Sequence, residues 1–109
     1  MPRPRSWIWL CLLLLAASSA ASAAELTALP ATLPGGGRTI VEWRTLGRGV
    51  GVVRVSRDGG REVDLARGER GSVADVLPAG SHHVYRLYRE QNGQMIAGPV
   101  EVRAPEGAR

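Results

Sequence analysis

The sequence has no phenylalanine, no lysine and a single cysteine in 109 residues. That cysteine, Cys11, lies in the apolar N-terminal stretch, so the rest of the chain carries neither disulfide nor thiol chemistry. Small exported domains often lean on disulfides, and without one the domain must be held by its core. A chain of this size buries only about 60–65% of its unfolded surface, which leaves a thin stability margin. Every basic residue is Arg, a bias that a GC-rich genome explains without function. No run of like charge reaches the length of an interaction tail. No apolar run approaches the ~20 residues of a membrane span.

The N-terminal stretch has the three parts of a secretory signal. Met1 to Ser6 carries Arg3 and Arg5 and no acid, Trp7 to Ala17 is apolar, and small residues run from Ala16 to Ala24. Cleavage is expected near Ala24, at Ala21-Ser22-Ala23 or Ser22-Ala23-Ala24. Cys11 follows Trp9 and Leu10 rather than small residues, which excludes a lipoprotein signal. The expected organisation is therefore a signal peptide at 1–24, one domain at 25–104 and a frayed tail at 105–109, with no membrane anchor after cleavage. Losing 24 of 109 residues leaves 85, in which 12 Arg face 10 acids. A net charge of +2 is a weak argument for an anionic partner.

The remaining chain is punctuated by Gly and Pro every several residues, with β-branched and polar residues alternating between them. Such spacing predicts a sandwich or barrel of short strands. Glu25 to Leu33 reads as an edge strand, because Pro30 lacks an N–H. Thr39 to Thr45 places Thr39, Val41 and Trp43 on one face and Ile40, Glu42 and Arg44 on the other. Leu46 to Gly51, with Gly47, Gly49 and Gly51, is a flexible connection. Val52 to Ser56 turns Val53 and Val55 inward and Val52 and Arg54 outward. Asp58-Gly59 is a strong hairpin signal, followed by Arg61 to Leu65 with Val63 and Leu65 on one face. Gly68 to Gly71 reads as a loop. The alternation of Ser72 to Leu77 is ambiguous. His82 to Glu90 sets His83, Tyr85 and Leu87 against Val84, Arg86 and Tyr88. Asn92-Gly93 gives a second hairpin signal, and Gln94 to Arg103, with Pro99, a second edge strand. The core is expected to include Val41, Trp43, Val53, Val55, Tyr85 and Leu87.

Three landmarks in order carry a family resemblance. Trp43 ends the inward face of the second strand. Leu77-Pro78-Ala79-Gly80-Ser81 leads from the fifth strand to the sixth, and His83-Val84-Tyr85-Arg86-Leu87-Tyr88 is followed by a hairpin and an edge strand. This order resembles fibronectin type III and related bacterial immunoglobulin-like modules. The resemblance implies a single seven-stranded antiparallel all-β sandwich, and a spacer, adhesion or appended role. A tyrosine corner belongs near the start of the sixth strand in such sandwiches. His83 stands there, and its imidazole would have to make the bond back to the backbone.

Chemistry-bearing constellations are sparse. Ser81 adjoins His82 and His83, but neighbouring strand residues face opposite ways, and there is no G-x-S-x-G elbow. The same alternation separates the two His as metal ligands, and calcium would want six or more oxygens. Gly47-Arg48-Gly49-Val50-Gly51 lacks the helix that a phosphate loop requires. Neither an enzyme nor a cofactor is expected, and the small charge argues against nucleic acid. If the third, sixth and seventh strands share a sheet, Arg54, Arg86 and Tyr88 meet on its outer face, flanked by Glu101 or Arg103. Tyr and Arg are enriched in binding hot spots, although solvated cross-strand charge pairs are the ordinary content of such a face. The sequence thus predicts an exported module, periplasmic or extracellular. Its partner would be a protein, bound by that face or by strand addition, or else an envelope polysaccharide. An aromatic sugar platform would rest on Tyr88 alone, since Trp43 is assigned to the core.

Overall fold

The computed structural model describes residues 24–107. The signal peptide assigned to 1–24 lies, but for Ala24, outside the described residues. The alternating segments form seven strands: β1 (Glu25–Leu29), β2 (Gly36–Arg44), β3 (Gly51–Arg57), β4 (Val63–Gly68), β5 (Arg70–Pro78), β6 (Ser81–Arg89) and β7 (Met95–Ala104). They make two antiparallel sheets, one in the order β1-β2-β5 and the other β4-β3-β6-β7. The third, sixth and seventh strands therefore do share a sheet. Inward rows of the two sheets enclose the core, with Val41, Val53, Val55, Tyr85, Leu87 and Val102 fully buried. Trp43 is 5% exposed, and its Nε1–H donates to the Gly68 carbonyl at 3.1 Å.

The structure departs from the sequence reading chiefly at four places. β1 stops at Leu29 rather than Leu33, where the chain leaves β2. The chain then crosses to the other sheet. Leu33 N–H donates to Arg103 O at 2.8 Å, and Arg103 N–H to Ala31 O at 3.0 Å. The loop expected at Gly68 to Gly71 is a single residue, Glu69, where the chain passes from one sheet to the other. Thr45 N–H pairs with Glu69 O at 2.8 Å across that step. Gly71 instead lies within β5, directly under the indole. A Cβ there would stand 2.7 Å from the Trp43 ring, so the position admits only glycine without displacement. In β4 a bulge sets Ala66 opposite Val53 but Asp64 opposite Arg54, leaving Leu65 as the extra residue. Leu65 and Ala66 both pack on the core, while Val63 is 44% exposed. The chain end is tied down further than expected: Ala104 is buried, and Pro105 O accepts from Gly35 N–H at 2.7 Å.

The turns follow their sequences. Asp58 and Gly59 both have positive φ, and Gly60 N–H donates to Arg57 O at 2.9 Å, a type I′ turn. Asn92-Gly93 forms a longer loop, with only Gly93 in the left-handed region and Gly93 N–H bonded to Arg89 O at 2.8 Å.

Candidate functional site

Alternation along β3 and β6 turns Arg54, Arg86 and Tyr88 to the outer face of the four-stranded sheet, where Arg54 stands opposite Arg86 and Val52 opposite Tyr88. The structure brings the three together. The Arg54 guanidinium lies over the Tyr88 ring, 4.9 Å from its centroid, close enough for a cation–π contact. Arg54 Nε–H also donates to Asp64 Oδ1 at 2.9 Å. Glu62, just before β4, accepts from Arg86 Nη1 at 3.2 Å and from the Tyr88 hydroxyl at 2.8 Å. Partial burial, and then the Glu62 carboxylate beside it, push the Tyr88 hydroxyl above its ordinary range. Val52, on the same face, is 3% exposed beneath this cover. Glu101 and Arg103 lie further along the sheet. There Glu101 Oε1 is 2.9 Å from His82 Nε2 and accepts from Arg103 Nη2 at 3.2 Å. Each cation of the cluster is thus met by an acid of the same face. Sequence reasoning missed Glu62, because an acid beside a turn reads as an ordinary solvated residue.

A second polar cluster lies between the sheets. β5 turns Gly71, Val73, Asp75 and Leu77 inward, which puts a carboxylate in the core with Asp75 only 7% exposed. The Tyr85 hydroxyl donates to Asp75 Oδ2 at 2.6 Å, and His83 Nδ1 stands 2.9 Å from the same oxygen. Arg57 Nη2 donates to Oδ1 at 3.1 Å. Burial alone would raise the Asp75 carboxyl. The bonds from Tyr85, His83 and Arg57 outweigh it and hold the group below the usual carboxylate range. Burial and the adjacent carboxylate push the Tyr85 hydroxyl far above its ordinary value. An ionised carboxylate only accepts, so His83 carries a proton on Nδ1. The corner residue His83 therefore bonds to a side chain of the facing sheet, where the sequence suggested a bond to the backbone. This arrangement clamps β5 to β3 and β6, and nothing in it exposes a nucleophile. Ser81 Oγ–H donates to Pro78 O at 2.6 Å rather than to either His. Alternation leaves His83 buried in the core and His82 partly exposed on the other face.

The third feature is backbone. β5 pairs with β2 over nine residues without a register shift. Antiparallel pairs alternate between bonded and non-bonded. The Thr45–Glu69 bond fixes that alternation, so Gly71, Val73, Asp75 and Leu77 bond to β2. Arg70, Ser72, Ala74 and Val76 then direct their N–H and C=O groups to the open edge. Among the described residues no backbone bond reaches these groups from the other side.

The other three edges are blunted, each by a recognised device. β1 is five residues long and is followed at once by Pro30. β4 is bulged. β7 carries Pro99 and two register shifts against β6.

No family model matches the chain, nor does any curated protein or solved structure.

Proposed function

We propose that this chain is an exported, non-catalytic β-sandwich module of the fibronectin type III or related bacterial immunoglobulin-like kind, and that it binds protein by strand addition at the β5 edge. The observation that carries the reading is the nine-residue, unshifted pairing of β5, which leaves four residues offering backbone donors and acceptors to solvent. Main-chain bonds to an exposed edge supply affinity in this mode, and alternate side chains supply specificity. The Arg54, Arg86 and Tyr88 face supports binding less well, because its charges already pair with Glu62 and Asp64. The fold supports the family reading through its two-sheet arrangement. The fourth strand joins the sheet of the third, sixth and seventh, which differs from the constant-type immunoglobulin arrangement. Against the polysaccharide reading, Trp43 is buried and the Tyr88 hydroxyl is committed to Glu62.

The test uses Ala74→Pro, which removes an edge N–H without touching a bond to β2. The full chain is expressed in an exporting host and its N-terminus is read by mass spectrometry. The purified protein is then immobilised against solubilised envelope. Protein enriched by the native chain and lost with A74P is the expected result. Equal capture by both places the binding elsewhere, and sugar enriched without protein overturns the reading in favour of the polysaccharide one.

A further inference from the structure

The outer face of the β1-β2-β5 sheet carries features that the edge does not use. Leu29, Ile40 and Ala74 form one cross-strand row, and Val76 stands in the next row beside Arg38. Leu29 is 64% exposed, Val76 60% and Ile40 40%, which makes this an apolar band on an otherwise polar sheet face. Arg38 and Glu42 flank Ile40 on β2, two residues to either side, and both are exposed. Neither makes an ion pair among the described residues, whereas Arg44 and Glu25 on the same face pair at 3.7 Å.

From this pattern we infer that the face is a self-complementary surface whose occupant is a second copy of this chain. A two-fold axis over Ile40, lying between the sheets and across the strands, reverses strand direction. It sets Ile40 against Ile40 and each Arg38 against the other copy's Glu42. At ~3.4 Å per residue, Arg38 and Glu42 sit about 7 Å on either side of the axis, and sheets pack about 10 Å apart. An Arg and a Glu side chain together span that gap. An axis along the strands would instead oppose Arg38 to Arg38 and Glu42 to Glu42. The charges therefore select one of the two isologous arrangements, and an isologous contact closes as a dimer.

The size of the face sets the strength. Strands of five, nine and nine residues, ~4.8 Å apart and rising ~3.4 Å per residue, present about 375 Å² per copy, or ~750 Å² in all. That lies well below the ~1,200 Å² at which stable interfaces begin, so the dimer is a weak one. The β5 edges stay open in this arrangement, so the inference stands or falls apart from strand addition.

Sedimentation equilibrium of the purified full-chain product, from roughly 10 µM to 1 mM, the range of weak association, reads the outcome. Arg38→Glu and Glu42→Arg each turn two attractive contacts into two repulsive ones and should abolish the dimer. The double variant R38E/E42R should restore it to within threefold of the native constant. Ile40→Arg, which sets like charges on the axis, should also abolish it. A native chain that stays monomeric to 1 mM overturns the inference, as does a dimer that survives either single change. Failure of the double variant to restore association overturns it equally. I40R, which alters no backbone group of β5, abolishes this dimer while protein capture at the β5 edge stays native, which separates the two readings.

Discussion

Replacing Asp75 with Ala should be among the most destabilising single changes available to this domain. Two of the three donors to its carboxylate, the Tyr85 hydroxyl and the His83 imidazole, are buried and would lose their acceptor. An unsatisfied buried polar group costs about 1–3 kcal/mol, and two are stranded here. The Arg57 side chain is 44% exposed and returns to water at little cost. D75A should therefore lose about 2–5 kcal/mol from a total on the order of 5–10 kcal/mol. Tyr85→Phe removes one donor and leaves the carboxylate two, for about 2 kcal/mol. The double variant should cost about 1–2 kcal/mol less than the sum, because its hydroxyl is absent and cannot be stranded. Urea unfolding followed by Trp43 emission measures all three, since the buried indole should emit to the blue and shift red on unfolding. The pH dependence has a definite sign. The Asp75 carboxyl sits below its unfolded value of ~3.9, so its contribution is complete above about pH 4 and is lost as pH falls through the folded value. D75A should lack that acid-side slope. A loss under 1 kcal/mol, an additive cycle, or an acid profile parallel to the native one would refute the assignment of Asp75 as a charged clamp.

Two further outcomes follow from the same structure. Gly71→Ala drives a Cβ to 2.7 Å from the Trp43 ring and should cost about 1–3 kcal/mol by overpacking, with altered near-ultraviolet dichroism as the indole moves. Tyr88→Ala should cost about 1–2 kcal/mol by uncovering Val52, whereas Arg86→Ala, losing an ion pair whose side chains are 32% and 29% exposed, should cost about 1 kcal/mol. Partner capture that vanishes with either change while thermal stability stays native would return the binding role to that face.

Strand identity was legible wherever alternation met a turn signal. Val53 and Val55 ahead of Asp58-Gly59, and Tyr85 and Leu87 ahead of the second hairpin, announce both element and face. β5 was ambiguous because its inward row contains Asp75 and its outward row contains Val76, so hydropathy points both ways. The ambiguity is itself a trace of the polar clamp, but resolving it requires knowing that His83, Tyr85 and Arg57 converge from the other sheet. Bulges are similarly hidden. The extra residue in β4 follows from how Val53 and Arg54 must meet their partners, a long-range constraint that no local pattern carries. The cluster of Arg54, Arg86 and Tyr88 was readable from alternation, whereas Glu62, its hub, sits outside any strand.

The buried clamp and the open edge bear on each other. A strand at the margin of a sheet is held by one neighbour and is ordinarily among the first to fray. β5 has a second anchorage, since Asp75 is bonded to β3 through Arg57 and to β6 through His83 and Tyr85. A template fixed in advance spares an incoming strand part of the ordering cost of association. The same carboxylate therefore fixes the edge that strand addition would use. On this argument Tyr85→Phe, which weakens the clamp without unfolding the domain, should weaken capture at the β5 edge mainly by speeding dissociation. Capture unchanged in Y85F would show that β5 keeps its order without the clamp, and that pairing with β2 alone is enough to present it.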